Sequence, residues 1–130
     1  MMIVRQIKEK DYEPYRSLFE EAYTEYLESL RFSNPKEYRK EHKERRKVTR
    51  ARFSFYLKTG SSFVAEEKGE AIGYIASQTV SYMHGVDKLL WIEYVFVKSE
   101  HRRKGIGTAL LQKLTDHAEQ NNINRIYTTI

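Results

Sequence analysis

Residues 95–111 read VFVKSEHRRKGIGTALL. An apolar run stops at Val97, the polar stretch KSEHRRK follows, and Gly105 and Gly107 then open a segment whose apolar residues recur with helical spacing. The start of a helix presents unpaired backbone N–H groups and the positive end of its dipole. Glycine there removes the Cβ that would hold an anion away. Arg102, Arg103 and Lys104 stand beside these glycines and add positive charge. The bland alternative is a tight turn whose glycines serve packing only. The coincidence of two glycines, three cations and a strand–loop–helix setting favours a phosphate-binding loop.

Two familiar phosphate loops do not fit. A P-loop requires GxxxxGK followed by Ser or Thr, which is absent. A dinucleotide loop requires G-x-G-x-x-G directly after its strand and an acidic residue near the end of the next strand. Here Leu110 stands at the third glycine position, KSEHRRK separates strand from glycine, and the following RIYTTI ends without an acid.

The pattern that remains is Arg102-x-x-Gly105-x-Gly107, after a strand carrying Val95 and Val97. It resembles the coenzyme A loop of the GNAT N-acetyltransferase superfamily, in which Arg or Gln, two residues, Gly, one residue, and Gly or Ala follow in order. The resemblance extends over residues 1–130 in element order, and its specificity lies in residues 91–111.

The flanking sequence supplies that order. MIVRQI alternates and reads as a first strand. Asp11 stands where a helix cap is expected, and Pro14 is tolerated in a first turn. Tyr15, Leu18, Phe19, Ala22, Tyr26 and Leu30 then trace one helical stripe, with Glu20, Glu21, Glu25 and Glu28 mostly off it. Asn34, Pro35 and Glu37 mark a second helix start, and Gly60 a stop. The first half of that helix, RKEHKERRK, has no apolar residue to bury, whereas Val48, Ala51, Phe55 and Tyr56 can pack. Two β-rich runs flank EKGE as a hairpin, and KLLWIEYVFV reads as a central strand. A helix over 105–120 presents Leu110, Leu111, Leu114 and Ala118, and NRIYTTI is a last strand. The order is β-α-α-β-β-β-α-β, a mixed α/β (α+β) fold with a mostly antiparallel sheet flanked by helices, and a single domain over 1–130.

The resemblance implies roles for particular residues. Backbone N–H groups from Arg102 through Arg103, Lys104, Gly105, Ile106 and Gly107 to Thr108 would cradle the pyrophosphate of acetyl-CoA, the co-substrate. Arg102, Arg103 or Lys104 would supply charge. Free backbone near Val95, Phe96 and Val97 would take the pantetheine arm. The reaction would be acetyl transfer to a primary amine by direct attack. A lysine-type amine has a pKa of about 10.4 and must lose a proton before it can attack. Glu93, the one carboxylate inside LLWIEYVFV, is the candidate base. It also matches the position where some polyamine-acetylating relatives carry a glutamate proposed as base. A carboxylate in that run is otherwise paired with the basic helix or wet. The family normally continues past this last strand into a region bearing the tyrosine that protonates the leaving thiolate. This chain reads as a C-terminally short version, and Tyr94 or Tyr127 are the substitutes for that acid. A strand ending the chain leaves an edge suited to a homodimer.

Composition narrows the rest. Of 130 residues 40% are hydrophobic and 32% charged, a globular balance. There is no cysteine, which removes disulfides, cysteine-rich metal sites and a thiol nucleophile. No run of about 18 apolar residues exists and no signal-peptide core opens the chain, so a cytoplasmic protein without a membrane span is expected. His42, His84, His101 and His117 lack metal-ligand spacing, so no metal is expected. Residues 36–58 carry ten Lys/Arg against three Glu, and residues 1–30 four against seven acids. The acidic first helix suits a cationic acceptor such as a polyamine, a lysine or an aminoglycoside, lying between the first two helices and the turn before the central strand. Two rival readings are a CoA-binding module without catalysis and a nucleic-acid-binding protein using RKEHKERRKVTRAR. The latter ranks last because no aromatic residues interleave its cations.

Overall fold

The computed structural model describes residues 1–82 and 87–128. His84, in the turn before the central strand, and the last two positions of NRIYTTI lie outside the described residues. The elements are β1 (Met2–Gln6), α1 (Tyr12–Ser33), α2 (Pro35–Lys43), α3 (Arg50–Thr59), β2 (Phe63–Glu67), β3 (Glu70–Tyr82), β4 (Asp87–Val97), α4 (Ile106–Gln120) and β5 (Ile126–Thr128). The strands lie in the order β1-β2-β3-β4-β5, antiparallel except for the parallel β4–β5 pair. The expected mixed fold is therefore observed.

Two layers of helix cover the sheet. Tyr15, Leu18, Phe19, Tyr23 and Leu27 of α1 join Phe53 and Tyr56 of α3 against Val64, Tyr74, Ala76 and Phe96. On the other face Ile106, Leu110, Leu114 and Ala118 of α4 pack on Phe63, Ala65, Ile75, Leu90 and Ile92. The α1 stripe thus turns through Tyr23 and Leu27, whereas Tyr26 is 47% exposed. On α4, Ile106 takes the core position and Leu111 is exposed.

The basic segment expected as one helix is two. α2 ends at Lys43 and buries no residue, as its composition requires. Thr49 caps a new helix by accepting from the Arg52 N–H at 3.1 Å. This local cap competes with helix continuation, because RKEHKERRK has nothing to pack against the core. The phase then changes: Phe53 and Tyr56 face inward, while Ala51 is exposed and Phe55 only half-buried. Asp11 does not cap α1 with its side chain. It accepts instead from the Lys8 N–H at 2.7 Å and from Arg5 at 2.8 and 2.9 Å.

Two register slips matter for function. Between Ala65 and Glu66 of β2 the pairing skips Ile72 of β3. Between Ala76 and Ser77 of β3 it skips Glu93 of β4. Each leaves one extra residue, a β-bulge that reverses the side-chain alternation beyond it. Leu90 and Ile92 therefore face α4, whereas Tyr94 and Phe96 face α1. Glu93 sits at the crossing point.

Candidate active site

The loop before α4 has the backbone expected of an anion cradle. Arg103 has φ +64° and Gly105 φ +79°, the left-handed region that Gly105 adopts without strain. Gly105 stands at the N-cap and offers no side-chain cap. Ala109 donates to Gly105 O at 3.0 Å. Among the described residues nothing accepts from the N–H groups of Ile106, Gly107 and Thr108. A Cβ built on Gly105 or Gly107 meets no atom within 4 Å, so the face above the loop is open. The donor set and the open face fit a pyrophosphate.

The three cations divide. Arg102 donates to both oxygens of Glu25 on α1, at 2.6 and 2.9 Å, and through Nε to Val97 O at 3.1 Å. That bond, with burial opposing it, holds Glu25 below the usual carboxylate range. Ser99 adds a bond to Glu21 at 3.2 Å. Arg103 and Lys104 are exposed and have no acidic partner among the described residues.

A slot runs along the half of β4 that precedes this loop. β5 pairs with β4 only at Leu90, Trp91 and Ile92. Beyond Ile92 the β4 edge has no strand beside it among the described residues. A cavity of about 430 Å³ lies between that half of β4 and α1, its lining including Ala22, Tyr26, Val95 and Phe96 together with Glu41, Arg46, Glu93 and Tyr94. Val95, half exposed, faces solvent here.

Glu93 is held by three side chains. Arg52 donates to both its oxygens (2.6 Å to Oε2), Tyr56 to Oε2, and Gln78 to Oε1 at 2.6 Å. A carboxylate has about four lone-pair sites, and these four contacts use them. Burial, then the bond to Glu93, pushes the Tyr56 hydroxyl well above its usual range. The pairing with a basic helix is thus real, through a residue of α3. Neither Arg52, Tyr56 nor Gln78 carries a motif; only the chemical need of a carboxylate in an apolar strand pointed to a partner.

A second cavity, about 340 Å³, shares Phe19, Arg46 and Tyr94 with the first and extends to Tyr15, Lys47, Arg52 and Tyr56. The segment between α2 and α3 forms one wall of it. Tyr94 lines both cavities. Tyr127 lies on β5 opposite Trp91, 46% exposed, and lines neither. Glu41 is engaged by Tyr23 at 2.6 Å and by Arg46 at 3.5 Å. Among the described residues no helix is long and apolar enough to cross a membrane.

Comparison with known proteins agrees with this fold. The family model described as Acetyltransferase (GNAT) family matches residues 13–130. No curated protein sequence matches the chain. Among solved structures, the ribosomal-protein-alanine N-acetyltransferase from Brucella melitensis is 16% identical (TM-score 0.67), covering 98% of this chain and 79% of its own. Glucosamine-6-phosphate N-acetyltransferase from Arabidopsis thaliana is 18% identical (TM-score 0.66), covering 100% and 82%. An aminoglycoside N-acetyltransferase in complex with CoA is also 18% identical (TM-score 0.65), covering 100% and 77%.

Proposed function

The chain belongs to the acetyltransferase (GNAT) family, and from that premise we propose that it transfers an acetyl group from acetyl-CoA to a primary amine, acting as one domain over residues 1–130. The observation that carries this reading is the conjunction of three features on β4 and the loop that follows it: the uncapped N–H groups before α4, the slot along Val95 and Phe96, and Glu93 in the lining of that slot.

Each element has a role in that scheme. The N–H groups of Gly105, Ile106, Gly107 and Thr108 hold the pyrophosphate, and Arg103 and Lys104 neutralise its charge. Arg102 braces the loop against α1 through Glu25. Val95, Phe96 and Val97 guide the pantetheine arm. Bound acetyl-CoA supplies an activated thioester, so that one N–H hydrogen of the acceptor is replaced by acetyl and the sulfur leaves as a thiol. Glu93 receives the acceptor's proton, directly or through water, once Arg52 yields one of the carboxylate's lone pairs. Arg52 is the partner suited to move, being 47% exposed. Tyr94, at the junction of the two cavities, is placed to return a proton to the departing sulfur.

The occupation of every Glu93 lone pair favours one rival, a CoA-binding module without turnover. Thiol release from acetyl-CoA over a panel of amines separates the two. The transferase reading expects amine-dependent release. CoA binding with no release for any amine supports the module.

A further inference from the structure

Resting on that acetyl-transfer reading, we infer that the acceptor amine also carries an anionic group, a carboxylate or phosphate, seated in the second cavity. Three cations line this cavity: Arg46, Lys47 and Arg52. No Asp or Glu is among its lining residues. Its floor is aromatic, with Tyr15, Tyr56 and Tyr94. Arg52 is paired with Glu93 and Arg46 with Glu41, whereas Lys47 has no partner among the described residues.

A hydroxyl donor in the cavity lining points to the same class of ligand. Tyr15 is 2% exposed, yet its hydroxyl has no hydrogen-bond acceptor among the described residues. Burial, then the proximity of Tyr56, Tyr94 and Glu93, holds that hydroxyl protonated far above its usual range. It is thus a permanent O–H donor beside the other cavity-lining groups. An anionic acceptor entering the cavity takes a charge-assisted hydrogen bond from it. Cations around a concave aromatic site also concentrate anions there.

Of the acids on α1 that suggested a cationic acceptor, all but Glu20 are engaged elsewhere. On α1, Glu25 and Glu21 bond to Arg102 and Ser99 of the loop region, and Glu13 and Glu28 pair along the helix with Arg16 and Arg31. Glu41 and Glu93 are already satisfied by cations. The ligand is therefore bipolar: its amine lies toward Glu93 and Tyr94, and its anionic end toward Lys47 and Tyr15.

The test uses inorganic phosphate as probe on protein saturated with CoA, so that the loop before α4 is filled. Phosphate at millimolar concentration should raise the melting temperature. Lys47→Glu should weaken that response about tenfold or more in concentration, and Tyr15→Phe several-fold. Lys113→Glu, the same charge change on α4, should leave it intact. No phosphate response, or one that survives Lys47→Glu unchanged, overturns the assignment. Matched amines extend the test to turnover: phosphoethanolamine should release CoA thiol faster than ethanolamine, and a preference for spermidine over both overturns it. If CoA itself produces no shift, the transfer reading has failed. The phosphate titration of free wild-type protein against Lys47→Glu then still decides the anion pocket.

Discussion

Arg102, the first residue of the loop motif, is bound to Glu25 of α1 through two hydrogen bonds of 2.6 and 2.9 Å. The pair ties the loop before α4 to the helix on the opposite face of the sheet, across the open edge of β4. Both side chains are near 40% exposed, so the pair contributes no more than about 1 kcal/mol to stability. In the proposed scheme the pair leaves phosphate neutralisation to Arg103 and Lys104. The double variant Arg103→Gln/Lys104→Gln should weaken CoA binding about tenfold or more by titration calorimetry, with a reduced salt dependence. Arg102→Gln should weaken it less.

Glu93→Gln should reduce the rate of thiol release about 100-fold or more while CoA affinity stays within about twofold, the pattern of a lost general base. Equal loss of both would make Glu93 a structural anchor for Arg52, Tyr56 and Gln78. Single-turnover kinetics beside calorimetry separate the two outcomes.

Gly73 sets how closely α4 approaches the sheet. A Cβ there would meet Phe96 O and Ile106 Cγ2 at 3.2 Å and Leu110 Cδ1 at 3.3 Å. Gly73→Ala should destabilise the protein by roughly 1–3 kcal/mol through overpacking. Because Ile106 opens α4 at the loop, CoA affinity should fall with it, as denaturant titration and calorimetry on the same sample will show.

Acid stability should report on Asp11. Burial works to raise its pKa, but the Arg5 guanidinium and the Lys8 N–H outweigh it and hold the carboxyl below its ordinary value. A depressed folded value gives stability that is complete above the unfolded pKa of about 3.9 and lost as pH falls through the folded one. The melting temperature should therefore drop steeply below about pH 4. Asp11→Asn should be less stable near neutrality, by about 1–3 kcal/mol, with a flatter acid limb.

The loop, the strand before it and the helix after it were legible because each rests on local chemistry: glycine, charge and apolar period. So were the EKGE hairpin, where Lys68 and Gly69 both adopt positive φ, and the Asn34 cap, which accepts from the Glu37 N–H at 3.2 Å. What period reading could not carry was the change of parity at Ile72 and Glu93, because alternation presumes an unbroken register. That bulge turns Tyr94 and Phe96 toward α1 and creates the slot. The break between α2 and α3 was hidden in a run of good helix formers, and it depends on tertiary burial of Phe53 and Tyr56. The partners of Glu93 come from α3 and β3, 41, 37 and 15 residues away in sequence, and no local pattern announces them.

The central claim is that the loop from Arg102 to Thr108 holds acetyl-CoA. Thermal shift with acetyl-CoA on the wild type and on Gly107→Glu tests it most directly. A side chain at Gly107 meets no atom within 4 Å, so this variant should fold with the same unliganded melting temperature while placing a carboxylate in the cradle. Millimolar acetyl-CoA should raise the wild-type melting temperature by several degrees and leave that of Gly107→Glu unchanged. No shift in the wild type, or equal shifts in both proteins, would contradict the account.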